Sequence, residues 1–290
     1  MARAMTPNSV ALESYSVVPT ELLDVGDRRL AVRFTGTGRP LILCNRFRGT
    51  LDTWDPAFID GLARYFRVIT FDFTGLGSSS GEAPSHLLNM ASDVRDLARA
   101  LGIETTLLGG WSMGGLVAQA VLAEYPGLVS HLVLIGTAPP GKNAHAPEPI
   151  FFERAHKPVN DLDDETVLFF EPRSESSRRA AESSHARIAL RTRDLSPPVP
   201  PSAWDGLHRA GAEFTADERG VRQLLEKTEV PVLVISGDHD IVFPVENWYD
   251  LTRRLPTAQL VVFPFAGHGP QHQYIDASVG YIERFVASTS

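Results

Sequence analysis

Short runs of consecutive apolar residues, rich in Val, Ile and Leu and closed by Gly, Pro or Asp, recur along the chain. They fall at residues 40–44, 67–73, 106–109, 131–136, 231–236 and 259–263. Apolarity that is continuous, not alternating, predicts strands buried on both faces, as in a parallel sheet. Between these runs, apolar residues return at helical spacing over 90–101, 115–125, 247–255 and 274–286. Strands alternating with helices predict an α/β fold: a mostly parallel, doubly wound sheet with helices on both faces. Upstream, residues 21–25 and 29–34 read as an antiparallel hairpin turning at Gly26 and Asp27.

The rhythm breaks over residues 138–226, where strand signals vanish. Pro139, Pro140, Pro147 and Pro149 open this stretch, and Pro197, Pro198, Pro200 and Pro201 interrupt it. Residues 164–170, 174–191 and 204–212 read as helices within it. A stretch this long and this helical is not a plain connection. It reads as a helical insertion packed over the edge of the sheet. The chain thus divides into a core of residues 1–137 and 227–290 and an insertion of residues 138–226.

Composition narrows the picture a little. A chain of 290 residues can bury roughly three quarters of its unfolded surface. A hydrophobic share of 43% and a charged share of 21% are ordinary for a soluble globular protein. The net charge of −8 argues against a nucleic-acid partner, since phosphate binding rests on Lys and Arg. Cys44 is the single cysteine, which leaves no intrachain disulfide or cysteine-based zinc site and suits a small buried hydrophobe. The N-terminal segment shows no apolar signal core. No apolar run approaches the ~20 residues of a membrane-spanning helix. A cytoplasmic protein without a membrane partner is the expectation.

The chemistry starts at Gly110-Trp111-Ser112-Met113-Gly114, between a strand and a helix. G-x-S-x-G in that setting is a nucleophile elbow: a strained turn lifts the serine Oγ off the sheet at a helix N-terminus. A serine hydroxyl needs a general base. His268, in Ala266-Gly267-His268-Gly269-Pro270 after the last strand, is the candidate. An acid must orient that imidazole, and the loop after the strand at 231–236 offers Asp240 and Asp238. Asp240 is preferred, because the loop turns toward the histidine there, while Asp238 suits capping of backbone amides. Glu246 is a remote third.

These residues, in the order Ser, Asp, His, resemble a cap-bearing α/β-hydrolase of the esterase, lactonase or haloperoxidase-like branch. The resemblance extends from about Glu21 over nearly the whole chain, and the insertion falls where the family carries its cap. Asp72 to Ser79 resembles the family's D-x-x-G-x-G-x-S loop, which implies that Asp72 is a loop anchor and not a catalyst. The resemblance also implies an oxyanion hole made by the backbone N–H groups of Met113 and Phe47. The family has His-Gly-x at the second position; this chain has Asn45-Arg46-Phe47-Arg48-Gly49, with Arg46 in place of glycine. Arg46 and Arg48 either pair with Asp52, Asp55 or Asp72 and pin the loop, or hold a substrate carboxylate by bidentate hydrogen bonds.

Phe151, Phe152, Phe169 and Phe170 are either plain insertion core or the lining of an apolar pocket. His268 and His272 stand four apart on a glycine-rich loop, a poor platform for a metal. Gly75 and Gly77 are followed by neither Gly-Lys-Ser/Thr nor a third spaced glycine, so no metal and no cofactor is expected. The implied activity is hydrolysis of a small carboxylic ester or lactone through an acyl-enzyme on Ser112. The same residues would also serve carbon–carbon bond hydrolysis or a cofactor-free perhydrolase or haloperoxidase. A ligand-sensing receptor that retains the fold is the alternative of another class.

Overall fold

In the computed structural model, which describes residues 13–289, alternate residues of each central strand enter two separate cores, one on each face of a single sheet. The eight strands are β1 (Glu21–Val25), β2 (Arg28–Thr35), β3 (Pro40–Cys44), β4 (Arg67–Phe71), β5 (Thr106–Trp111), β6 (Val129–Ile135), β7 (Val232–Gly237) and β8 (Ala258–Phe263). Leu41, Leu43, Val133, Ile135 and Leu233 pack on one face. Ile42, Cys44, Leu132, Leu134 and Val234 pack on the other. Burial on both sides is why these runs are apolar without a break. The N-terminal segment read above for a signal core lies, over residues 1–12, outside the described residues.

The spatial order is β1-β2-β4-β3-β5-β6-β7-β8. The β1–β2 hairpin and the β2–β4 pair are antiparallel, and all later pairings are parallel. The chain leaves β3 toward β4 on one side and comes back to β5 on the other. The order therefore reverses between β3 and β5, and a ligand crevice is expected beyond the carboxyl ends of these strands.

Eleven α-helices complete the described residues: α1 (Pro56–Ala63), α2 (Leu87–Ala100), α3 (Met113–Glu124), α4 (Pro149–Ala155), α5 (Leu162–Phe169), α6 (Glu175–Ile188), α7 (Trp204–Ala216), α8 (Val221–Leu225), α9 (Glu246–Tyr249), α10 (Pro270–Gln273) and α11 (Ile275–Thr289). Helices α1 and α11 cover the face of Leu41, while α2 and α3 cover the face of Ile42. Five of the helices, α4 to α8, lie between β6 and β7. This segment is tied to the rest of the chain by charge. Arg187 forks onto the Asp55 carboxylate at 2.6–3.0 Å, and Ser196 donates its amide to Asp52 (2.6 Å) and its hydroxyl to Asp72 (2.7 Å).

The helix expected over residues 247–255 is a correction. Only Glu246–Tyr249 is α-helical. Beyond it the amides of Leu251, Thr252 and Arg254 bond to carbonyls three residues back, a chain of tight turns. Pro256 closes the segment, having no N–H to extend a helix and disfavouring helical backbone just before it.

Candidate active site

β5 runs through Trp111 and α3 starts at Met113, so Ser112 alone makes the turn between them. Its backbone stands at φ 57°, ψ −121°, a conformation that costs a non-glycine residue about 1–3 kcal/mol. The surroundings over-determine it. Ser112 donates its amide to the Ile135 carbonyl at 2.9 Å, and its own carbonyl accepts from Thr137 Oγ1 at 2.8 Å. A Cβ on Gly110 would meet the Gly114 carbonyl oxygen at 2.1 Å, and one on Gly114 would meet that of Cys44 at 2.1 Å. Only glycines let β3, β5 and α3 approach this closely. Ser112 is buried, at the N-terminal end of α3, where the aligned amides favour negative charge.

Asp240 lies just beyond β7 and His268 just beyond β8, both buried. The structure brings them together: His268 Nδ1 stands 2.9 Å from Asp240 Oδ2 and 3.0 Å from Oδ1. Asp240 Oδ1 also accepts from the amides of Val242 (2.8 Å) and Phe243 (2.9 Å), which fixes the carboxylate plane. Asp238 points elsewhere, accepting from the Ala266 amide at 3.2 Å and facing His239 Nδ1 at 2.6 Å. Glu246 is exposed at the start of α9. Trp111 carries a role that the motif pattern leaves blank: its indole Nε1 donates to the His268 carbonyl at 2.7 Å, linking the turn before Ser112 to the histidine loop. An aromatic donor at the variable position of G-x-S-x-G is the signal that would have found it.

Asp72 is an anchor. Its carboxylate accepts from the Leu51 amide (2.7 Å), the Ser78 amide (2.9 Å) and Ser196 Oγ (2.7 Å), while burial pushes its pKa up to about 6. It holds the loop after β4 against the loop after β3. Phe47 and Met113 border the same cleft as Ser112. Among the described residues, neither backbone N–H is paired with an acceptor.

The pairing of Arg46 and Arg48 with Asp52, Asp55 or Asp72 is a correction, because those carboxylates are engaged elsewhere. Asp52 faces Arg33 (2.7 Å) and Arg191 (3.4 Å), and Asp55 faces Arg187. Arg48 as a carboxylate binder is a second correction. Its guanidinium donates to the carbonyls of Ala155, Lys157 and Pro158 and lies 4.3 Å over the Trp204 ring, strapping the β3 loop to the helical segment. Arg48 also takes the left-handed conformation in this loop, at φ 58°. Arg46, where the family has glycine, does not. Its guanidinium lies against the rings of Phe169 (4.5 Å) and Trp111 (5.3 Å), which themselves meet edge to face at 5.3 Å. Burial pushes its pKa down to about 10, so it stays charged at neutral pH.

Two cavities meet at Ser112. One of ≈ 350 Å³ runs under Phe151, Phe152, Leu207 and His208 toward Phe243 and Asn247. The other, of ≈ 20 Å³, is bordered by Ser112, His268, Arg46, Phe151 and Phe169. Phe151 thus borders both, Phe152 the larger and Phe169 the smaller. Phe170 borders neither, which corrects the pocket reading for that residue. It follows α5 and is buried with its backbone against Gly267, because its extended backbone (φ −127°, ψ −179°) takes it off the helix face that borders the cavity. His208 was not singled out in the sequence. It packs 4.7 Å from Phe47 and reaches His156 Nε2 at 2.8 Å.

His272 is a core group. Its Nε2 accepts from the Asp55 amide at 3.2 Å, and burial pushes its pKa down to about 4 from an ordinary value near 6.5. Between those values the unfolded chain binds a proton that the folded chain refuses. Stability from this group is therefore full above pH ~6.5 and lost as pH falls toward 4. A loss of about 1.4 kcal/mol per pH unit is expected inside that window. His272→Gln keeps an acceptor for Asp55 and should flatten this limb. Urea unfolding at pH 7 and pH 5 measures it, and equal pH slopes in variant and wild type would count against the assignment.

A family model described as alpha/beta hydrolase fold matches residues 39–273. Among solved structures, an alpha/beta hydrolase fold protein from Chitinophaga pinensis is 29% identical, with a TM-score of 0.83 over 94% of this chain and 99% of its own. A thermophilic esterase from Thermogutta terrifontis is 25% identical, with a TM-score of 0.73 over 93% of this chain and 99% of that one. In sequence, a pimeloyl-acyl carrier protein methyl ester esterase from Vibrio atlanticus is 30% identical over 252 residues, 84% of this chain and 92% of that protein. No helix among the described residues is long and apolar enough to cross a membrane.

Proposed function

The chain belongs to the alpha/beta hydrolase fold family, and from that premise we propose that it is a serine hydrolase acting on a small carboxylic ester or lactone. The observation that carries this reading is the hydrogen bond of His268 Nδ1 to the buried Asp240 carboxylate, with the imidazole bordering the same cavity as Ser112. Nδ1 keeps its proton against the carboxylate, which leaves Nε2 as the basic nitrogen. Nε2 takes the Ser112 proton as Oγ attacks the carbonyl carbon. The amides of Phe47 and Met113 then hold the negative oxygen. As the ester C–O bond breaks, the same proton passes to the departing alcohol, or to the ring-opened hydroxyl of a lactone. Water then adds to the acyl-enzyme, giving a proton to His268, and the acid leaves as Ser112 recovers its own.

The α4 to α8 segment acts as a cap. Its aromatic side chains and the ≈ 350 Å³ cleft suit the apolar part of the substrate, and no cofactor takes part in these steps. The esterase names of the Vibrio and Thermogutta proteins support the same class. A fluorophosphonate is expected to add covalently to Ser112, seen as a mass increase on its tryptic peptide. Label and p-nitrophenyl ester turnover should both vanish in Ser112→Ala. Labelling that survives this substitution would overturn the proposal.

A further inference from the structure

Buried Arg33 and Arg191 face Asp52, and half-buried Arg187 forks onto Asp55. Half-buried Arg48 spends its donors on carbonyls, and Arg46 does neither in full. Among the described residues, no carboxylate lies within ion-pair distance of it. Glu165 favours its charge from farther away and is hydrogen-bonded to His185 at 2.7 Å. Arg46 Nη1 donates to the Phe47 carbonyl at 2.8 Å. Its Nε is enclosed without an acceptor, and no acceptor is paired with Nη2. Nη2 is thus the donor that Arg46 keeps for a charge-assisted hydrogen bond to a carboxylate. The guanidinium packs against the touching rings of Trp111 and Phe169, which limits where it can move.

The cavity that Arg46 shares with Ser112 and His268 is the second observation. Its lining includes two arginines and no Asp or Glu, so it favours an anion. Its ≈ 20 Å³ amounts to roughly one or two water-sized sites, enough for a carboxylate and too little for a long chain. The larger cleft on the other side of Ser112 also has no Asp or Glu in its lining and carries apolar walls.

We propose that Arg46 anchors a carboxylate on the acyl part of the substrate, which makes the substrate a hemiester of a short dicarboxylic acid. The free carboxylate occupies the small cavity against Arg46 Nη2. The scissile carbonyl lies over Ser112, and the alcohol part fills the ≈ 350 Å³ cleft. This deepens the serine hydrolase reading and rests on it. A charge-assisted contact raises kcat/KM for the hemiester over its uncharged counterpart by roughly 10- to 100-fold.

Monobenzyl succinate and benzyl butyrate are the test pair, with benzyl alcohol release followed by chromatography. Wild-type protein should prefer the hemiester by that factor, mostly through KM. In Arg46→Gln the preference should fall to near parity, and Arg46→Lys should restore part of it, since a lysine keeps the charge without the guanidinium. No preference in wild type, or an equal loss on both esters in Arg46→Gln, overturns the proposal. The second of these outcomes would mean that Arg46 only braces the Phe47 loop. Should Arg46→Gln fail to fold, calorimetry on Ser112→Ala decides: tighter binding of monobenzyl succinate than of benzyl butyrate supports the anchor, and equal binding removes it. The two readings fail separately. Ser112→Ala protein that still turns over both esters sinks the hydrolase mechanism, whereas labelled Ser112 without charge preference sinks only the anchor.

Discussion

Asp240→Asn is expected to lower kcat toward a p-nitrophenyl ester by about 10³- to 10⁴-fold while leaving the protein folded. The reason lies in the donors around the carboxylate. Val242 and Phe243 point their amides at Oδ1, and His268 Nδ1 lies against both oxygens. An asparagine keeps its carbonyl on the two amides and turns its NH₂ toward the imidazole. Nδ1 must then accept, the ring proton moves to Nε2, and no base remains to receive the Ser112 proton. Asp238→Asn and Glu246→Gln serve as comparisons, since Asp238 bonds to Ala266 and His239 and Glu246 is exposed. Both should keep kcat within about threefold, a change of under 1 kcal/mol in barrier. Steady-state kinetics beside thermal melts reads all three. A fully active Asp240→Asn enzyme would remove Asp240 from the mechanism, and a dead Asp238→Asn enzyme would put its neighbour in its place.

Gly114→Ala is expected to lower Tm by roughly 6–12 °C and to abolish turnover. The added Cβ would stand 2.1 Å from the Cys44 carbonyl oxygen and 2.8 Å from that of Asn45. Both are backbone atoms at the end of β3, so no side-chain rotation relieves the clash. Overpacking of this kind costs about 3 kcal/mol, and each kcal/mol is worth roughly 2–4 °C in a chain of this size. Moving β3 away from α3 would also carry Phe47 away from Met113, which is why turnover should suffer beyond the loss of stability. Gly127→Ala, with open space around its Cβ position, should melt like wild type. A Gly114→Ala protein with unchanged Tm and activity would show that β3 and α3 are not packed as described.

Much of the fold is visible in local patterns. The continuous apolar runs locate β3 to β8, because burial on both faces of β3 to β7 leaves little room for polar positions to alternate and the half-buried edge strand β8 still packs on both sides, and G-x-S-x-G marks the junction of β5 and α3. The polar-rich segment 247–255 misled the helical pattern, because Pro256 and tight turns outweighed apolar spacing there. The single short helix α9 is what remains of it. For the site, Ser112, Asp240 and His268 stand out because short-range features mark them: a glycine-flanked turn, an acid past a strand, a histidine between glycines.

What happens around those residues depends on contacts between distant parts of the chain. The pattern favours Asp240 over Asp238, and the turn of the loop after β7 is what puts Asp240 against His268 and Asp238 against Ala266 and His239. Arg48 and Arg46, two residues apart, look interchangeable in sequence. Folding sends Arg48 onto carbonyls of the helical segment and leaves Arg46 against Trp111 and Phe169 without a carboxylate. Spacing could not separate them, because a charge's role is decided by which partners tertiary packing brings within a few ångströms. Sequence pattern alone was enough for the sheet and for the serine turn, since both follow from local burial and backbone geometry. The two cavities, the unpaired Nη2 of Arg46 and the link from Trp111 to the His268 loop exist only in the folded chain, where residues far apart in sequence enclose one space.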